Sequence, residues 1–389
     1  MAEYGAYHRM VGHGGPRGHG VCRSEILARS RSWLVGAGAY IIAVPRERDL
    51  PRLRVVHASA VALTQVLGGL KLSFGQAFDI WRSAPRGHRS EVLRKVRRSL
   101  REIAVAPSAR YFDVGEFKNW EQFEIKYRQL AEELGYPGKI PAPGEVKFLH
   151  AMVDLEDVRY PGGIGSRDYF FLTCLVSILA PRRVIEIGTL TGFSTAIIAA
   201  AIYHQHGKLN TITVDTIDSH THCSIDKSRP IGFEIPELIP DLVSTVRVHT
   251  GRESDVVREI AAPGEFELAF IDADHRHPWP LLDVLRLAPY LQPRSWVLLH
   301  DIQLGSYGQE ERDAGKQLEG GTPFGAEWLF ERWPFRKIRS FHIGAIELPA
   351  RKDALIPFAL DLMNEPFEIT GNAAKRTRRA LYRSFAELL

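Results

Sequence analysis

The sequence predicts an α/β fold: a doubly wound, mostly parallel seven-stranded sheet with an antiparallel terminal hairpin, preceded by a mainly helical region. Three observations predict it. Five short apolar runs alternate with stretches of helical period: VIEIG (184–188), TITVD (211–215), TVRVH (245–249), LAFID (268–272) and WVLLHD (296–301). Such runs are nearly continuous in apolar residues, as strands covered on both faces are. Two further runs, FRKIRSF (335–341) and IGAIEL (343–348), are joined by a single residue, which permits only an antiparallel hairpin.

Taken in chain order, the first twenty residues are rich in glycine and histidine without an apolar period, and residues 1–57 are expected to be a poorly structured lead. Apolar residues recur at three and four in VALTQVLGGLKLSFGQAFDIW (61–81), SEVLRKVRRSLREIAV (90–105) and WEQFEIKYRQLAEELGY (120–136), so 58–140 reads as a helical cap. The stretch YPGKIPAPGE (136–145), dense in proline and glycine, reads as a linker. The strand–helix alternation occupies 145–350, with helices at ESDVVREIA (253–261), PLLDVLRLAPYL (280–291) and AEWLFERW (326–333). Residues 351–389 are expected to be a helical extension.

Composition narrows the function classes. The 389-residue chain carries a formal charge of +4, too small a basic excess to argue for nucleic acid or an anionic membrane. The basic runs at 94–101 and 375–379 read as solvated helix faces. Three scattered cysteines, Cys22, Cys174 and Cys223, fit a reducing compartment, and Cys174 reads as helix packing. The longest apolar stretch, WLVGAGAYIIAVP (33–45), is too short to span a bilayer. These features describe a cytoplasmic, soluble protein.

The chemistry lies where the first strand ends. In an open α/β sheet, ligands sit beyond the carboxyl ends of the strands at the point where strand order reverses. Gly188 and Gly192 bracket the turn there, but Leu190 stands where a dinucleotide fingerprint wants glycine, and no Lys-Ser/Thr pair follows Gly192. Glu186 suits a cationic or zwitterionic group better than a pyrophosphate. Asp215, read as the end of the second strand, can accept hydrogen bonds from two ribose hydroxyls. Together these describe S-adenosylmethionine as the ligand.

VIEIGTLTGFST, then TVD, FIDADH and LLHD in that order, resembles the class I S-adenosylmethionine-dependent methyltransferases, which have a Rossmann-like fold. It is most similar to the small-molecule O-methyltransferase branch of the catechol O-methyltransferase type, over about 145–350. The resemblance implies a cofactor site lined by Glu186, Gly188, Thr189, Gly192, Ser194, Asp215 and Asp272, with Gly251, Glu253 and Ser254 of GRES bordering the adenine. Asp272 and Asp301, both closing strands, form a carboxylate pair suited to a hard cation such as Mg2+, and in the metal-dependent relatives they match metal-binding aspartates. The family's third ligand, an asparagine after the second aspartate, is replaced by Ile302. His275 stands where relatives carry a base, and His300 is a second candidate; histidine can take a proton near neutrality.

The expected acceptor is a small hydroxylated molecule, with the helical region serving as lid, dimer element or substrate-selecting cap. Two alternatives stay open: a metal-independent or N-directed methyltransferase using His275 and His300, and a non-catalytic adenosyl-binding module. The cluster His220, His222 and Cys223 reads as an ordinary loop at the site's mouth rather than a zinc site.

Overall fold

The computed structural model describes residues 111–155, 164–315 and 322–388. The lead, the cap as far as residue 110 and the basic run at 94–101 lie outside them. The described elements are β1 (Tyr111–Asp113), α1 (Trp120–Leu134), α2 (Pro143–Asp154), α3 (Ser166–Leu179), β2 (Arg183–Ile187), α4 (Phe193–His206), β3 (Thr213–Asp218), α5 (Ile235–Leu238) and β4 (Val246–Thr250). They continue with α6 (Val257–Ile260), β5 (Phe266–Ile271), α7 (Trp279–Leu287), β6 (Leu291–Leu299), α8 (Leu304–Asp313), α9 (Gly325–Arg332), β7 (Lys337–Ser340), β8 (Ile343–Glu347), α10 (Leu355–Leu362) and α11 (Gly371–Leu388).

The sheet order is β1-β7-β8-β6-β5-β2-β3-β4, with β8 antiparallel to both its neighbours and every other pairing parallel. All seven expected strands are present. An eighth, β1, joins them at the β7 edge. The chain moves outward from β2 through β3 to β4, then returns to place β5 and β6 on the other side of β2, so strand order reverses between β2 and β5. That is the crevice where a ligand of such a sheet is held.

Side-chain alternation along the strands divides the core into two layers. Val184, Val214, Leu268, Phe270 and Leu298 face α1, α3 and α4, whereas Ile185, Ile187, Ala269, Ile271 and Leu299 face the layer of α7, α9, α10 and α11. α3 is buried nearly all round, from Asp168 to Ile178, which explains why SRDYFFLTCLVSIL has no polar stripe. Buried Cys174 lies within it, as its apolar surroundings suggested.

The amino-terminal segment does not stand apart from the sheet domain. α1 buries Phe123, Tyr127, Leu130 and Ala131 against α3; Asn119 caps its start through the Gln122 N–H, and Gly135 ends it at φ +89°. The expected linker is cut short, because Pro143 opens α2, a position where its missing N–H costs no hydrogen bond. α11 docks Leu381, Phe385 and Leu388 into the opposite layer, leaving Lys375, Arg376, Arg378 and Arg379 exposed, as the basic run predicted. No helix among the described residues is long and apolar enough to cross a membrane.

Candidate active site

The turn after β2 is held tightly by its own chain. Gly188 takes φ +100°, its N–H donates to the Ile217 carbonyl at 2.8 Å, and a Cβ there would lie 2.5 Å from the Asp272 carbonyl carbon. Only glycine fits against β5 at this point. Leu190 also adopts a left-handed conformation, φ +49°, and its N–H donates to Asp218 Oδ2 at 3.0 Å. The glycine at 192 (φ +89°) does not clear space for a ligand: a Cβ there would meet Ile235 at 2.5 Å and Gly232 at 3.0 Å. Its conformation serves the packing of the 230–235 loop over the turn.

Glu186 is fully buried, and its carboxylate accepts hydrogen bonds from Ser194 Oγ at 2.6 Å and from Thr195. Burial pushes its pKa up to about 7, against the opposing effect of the Ser194, Thr195 and Thr216 hydroxyls. Glu186 and Ser194 therefore fasten the start of α4 to β2 rather than projecting into the crevice. Thr189 is likewise turned inward, with its hydroxyl 2.6 Å from that of Thr216.

The acid expected to close β3 is corrected by the structure. The strand runs on to Asp218, and Asp215 lies inside the sheet, fully buried, with its carboxylate 2.9 Å from His249 Nε2 and 3.5 Å from Arg183. Alternation fixes the difference. Asp215 pairs with Ile185, whereas Asp218 falls in phase with Glu186 and Gly188 and reaches the rim beside the turn. Asp218 is the acid at the rim, three residues beyond Asp215 in TVDTID, and the sequence reading passed over it.

GRES follows β4. Gly251 takes φ +68° and its N–H donates to the His220 carbonyl at 3.1 Å. Ser254 is buried and hydrogen-bonds Asp283 at 2.5 Å while accepting from Arg286 at 3.0 Å, so its hydroxyl is engaged with α7; Glu253 pairs with Arg286 at 3.1 Å. In the adjoining loop, Cys223 is buried while His220 and His222 are exposed and hydrogen-bonded to their own neighbours, Ser219 and Thr221.

The acidic and imidazole candidates converge. Asp272 follows β5, its N–H held by the Ile187 carbonyl at 2.8 Å; His300 and Asp301 follow β6, Asp301 at φ +56°. His275 Nε2 lies 3.2 Å from Asp301 Oδ2 and 3.6 Å from Asp272 Oδ1. His300 Nδ1 lies 3.1 Å from Asp272 Oδ1, and its Nε2 is 3.4 Å from Asp168 Oδ2. Burial alone would lower the His300 pKa, but the Asp272 and Asp301 carboxylates and the Asp168 hydrogen bond outweigh it, holding the ring well above the usual imidazole range. Buried between Asp168 and Asp272, His300 is less accessible than His275.

Asp168 was not anticipated either. It is 7% exposed in the first turn of α3, and its Oδ1 has no hydrogen-bond partner. An acid inside an otherwise apolar helix was the available signal. Ile302, by contrast, is buried in the core among Leu329 and Phe330 and offers no donor.

Donor chemistry decides whether a cation fits this cluster. One donor atom each from Asp272, His275 and His300 lie within 4.8 Å of one another, and Asp301 adds a carboxylate oxygen 3.2 Å from His275 and 3.7 Å from His300. The residues fit a divalent ion, with nitrogen as well as oxygen among the donors.

Residues 185–302 match the family model described as a methyltransferase domain. Among curated proteins the chain is similar to a catechol O-methyltransferase of Niastella koreensis, 29% identical over 160 residues, covering 40% of this chain and 63% of that protein. The match thus spans less than two thirds of the relative's length. Among solved structures it is similar to an O-methyltransferase from Bacillus cereus in complex with SAH (19% identical, 55% of this chain and 86% of that one, TM-score 0.33). Another is an O-methyltransferase from Streptomyces achromogenes involved in tomaymycin synthesis, in complex with SAM (18% identical, 52% of this chain and 82% of that one, TM-score 0.31).

Proposed function

We propose that the chain transfers a methyl group from S-adenosylmethionine to a hydroxyl of a small acceptor. The observation that carries this reading is the placement of Asp272 and His275 after β5, the strand beside the Gly188 turn, with Asp301 joining them from the end of β6 one strand further on. The cofactor, when bound, supplies an electrophilic methyl group and keeps the C–S electron pair at sulfur. Asp218 would accept hydrogen bonds from the ribose hydroxyls, and the backbone of 188–192 would border the amino-acid portion.

The remaining work is positioning and proton removal. His275 Nε2 takes the proton of the acceptor hydroxyl, and Asp301, 3.2 Å away, stabilises the imidazolium that forms. The acceptor oxygen, freed of its proton beside Asp272 and His275, would thereby be held as a nucleophile at the rim that the Gly188 turn borders. The β7–β8 turn reaches the same rim, where Phe341 stacks under Arg167 and His342 meets Tyr307 edge-on, so these side chains would form the acceptor's wall.

Calorimetric titration of S-adenosylhomocysteine, followed by methyl transfer to a panel of catechols and simple phenols with the parent chain and His275→Gln, tests the reading. Binding is expected in both, with transfer lost in the variant. A folded protein that binds no S-adenosylhomocysteine would sink the assignment. One that binds it and methylates only amines would favour the N-directed alternative.

A further inference from the structure

The cluster contains a histidine whose two nitrogens face two different carboxylates, and the proposed proton transfer uses neither. His300 Nδ1 points to Asp272 Oδ1 at 3.1 Å and lies 3.7 Å from Asp301 Oδ2, while Nε2 is 3.4 Å from Asp168 Oδ2. Metal-bound histidines almost always donate their other ring N–H to a carboxylate or carbonyl, which fixes the ring and raises its basicity. Asp168 supplies that partner from a different element, and its Oδ1 is buried with no partner of its own.

Donor spacing agrees. At metal–ligand bonds of about 2.1 Å, neighbouring donors stand roughly 3.0 Å apart in an octahedral site and about 3.4 Å apart in a tetrahedral one. The His300–Asp272 separation of 3.1 Å lies close to the octahedral value, and the His300–Asp301 separation of 3.7 Å lies a few tenths of an ångström beyond the tetrahedral one. Position 302 cannot contribute, since Ile302 packs in the core.

Building on the methyltransferase reading, we propose that His300 replaces the missing neighbour of Asp301 as third ligand of a divalent ion held with Asp272 and Asp301, with Asp168 as its positioning residue. Replacing an amide oxygen by imidazole moves the site's preference from magnesium towards first-row transition metals. His275, whose side chain is 11% exposed against 4% for His300, remains free to take the acceptor's proton.

The test uses the full chain stripped with chelator and titrated separately with Mg2+, Mn2+ and Co2+, reading heats and the visible Co2+ spectrum, with S-adenosylhomocysteine binding measured on the same samples. Mn2+ and Co2+ are expected to bind at least ten-fold more tightly than Mg2+. His300→Gln should abolish the nitrogen-ligated Co2+ spectrum, and Asp168→Asn should weaken Co2+ binding by about ten-fold or more, with cofactor affinity unchanged in both. Equal or tighter binding of Mg2+, a Co2+ spectrum unaltered in His300→Gln, or no metal binding by protein that still binds S-adenosylhomocysteine would overturn the proposal while leaving the methyltransferase reading intact. Loss of S-adenosylhomocysteine binding in the parent chain would instead overturn that reading, whatever the metal titrations show.

Discussion

Gly188→Ala is the sharpest perturbation the structure offers. Two costs add there. A side chain at φ +100° incurs left-handed strain of about 1–2 kcal/mol, and the new methyl would press on the Asp272 carbonyl, an overpacking cost of about 1–3 kcal/mol. Relaxation is obstructed on both sides, because the Gly188 N–H is bound to Ile217 and the Asp272 N–H to Ile187, each at 2.8 Å. The expected loss is therefore about 2–5 kcal/mol, read as a lowered urea midpoint at unchanged slope. Gly135→Ala is the control: φ is +89° but nothing lies within 4 Å of the added Cβ, so strain alone should appear, about 1–2 kcal/mol. The methyl also enters the crevice between β2 and β5, so S-adenosylhomocysteine affinity should fall only in Gly188→Ala. Two variants equal in stability to within about 0.5 kcal/mol, with cofactor affinity preserved in both, would refute the claim that Gly188 is required by its contact with β5.

Asp218→Ala should weaken S-adenosylhomocysteine by about ten- to a hundred-fold in calorimetry, from the loss of hydrogen bonds to a charged acceptor, and should also lower the melting temperature, because the Leu190 and His220 N–H groups lose their carboxylate partner. Asp215→Ala should lower stability, because it empties a fully buried site and removes the carboxylate that His249 and Arg183 face, while leaving S-adenosylhomocysteine affinity unchanged; equal effects on affinity would show that the two acids had been assigned the wrong way round. Glu145 is buried, with Ser177 and Gln205 as hydrogen-bond donors, and burial pushes its pKa from 4.5 up to about 7. A carboxyl that binds its proton more tightly when folded stabilises fully below pH 4.5, loses that contribution as pH rises through 7, and is flat above. Glu145→Gln should remove this share, roughly 3–4 kcal/mol, from the pH dependence of chemical denaturation between those limits; an unchanged profile would show that Glu145 stays ionised.

The strands were legible because burial on both faces leaves a nearly continuous apolar run that no surface element imitates. Their ends were less so. In TVDTID the first acid looks like a terminus, but the strand continues because Thr216 and Ile217 still pair with Val248 and His249. Only the pairing partner reveals this. β1 was illegible for a different reason: three residues cannot display a period, and YFD becomes a strand only because Lys337–Arg339 lie alongside it. Pro143 read as part of a linker, yet it opens α2, whose own Glu145, Leu149 and Met152 are buried. At the site, the order of FIDADH and LLHD placed Asp272 and Asp301 at strand ends, and in the structure His275 and His300 lie beside them. Asp168 escaped because its partner His300 lies 132 residues away.

β1 also sets a timetable for the chain. Its ion pair between Asp113 and Arg339 joins residues 226 apart. At translation rates of about 5–20 residues per second, the first strand waits roughly ten to forty-five seconds for the partner that completes its edge. Until then the apolar side chains of α1 have α3 to cover them but Tyr111–Asp113 have no ladder to join. The last edge of the sheet is thus closed by the earliest strand described, and its formation belongs to the slow, long-range end of folding.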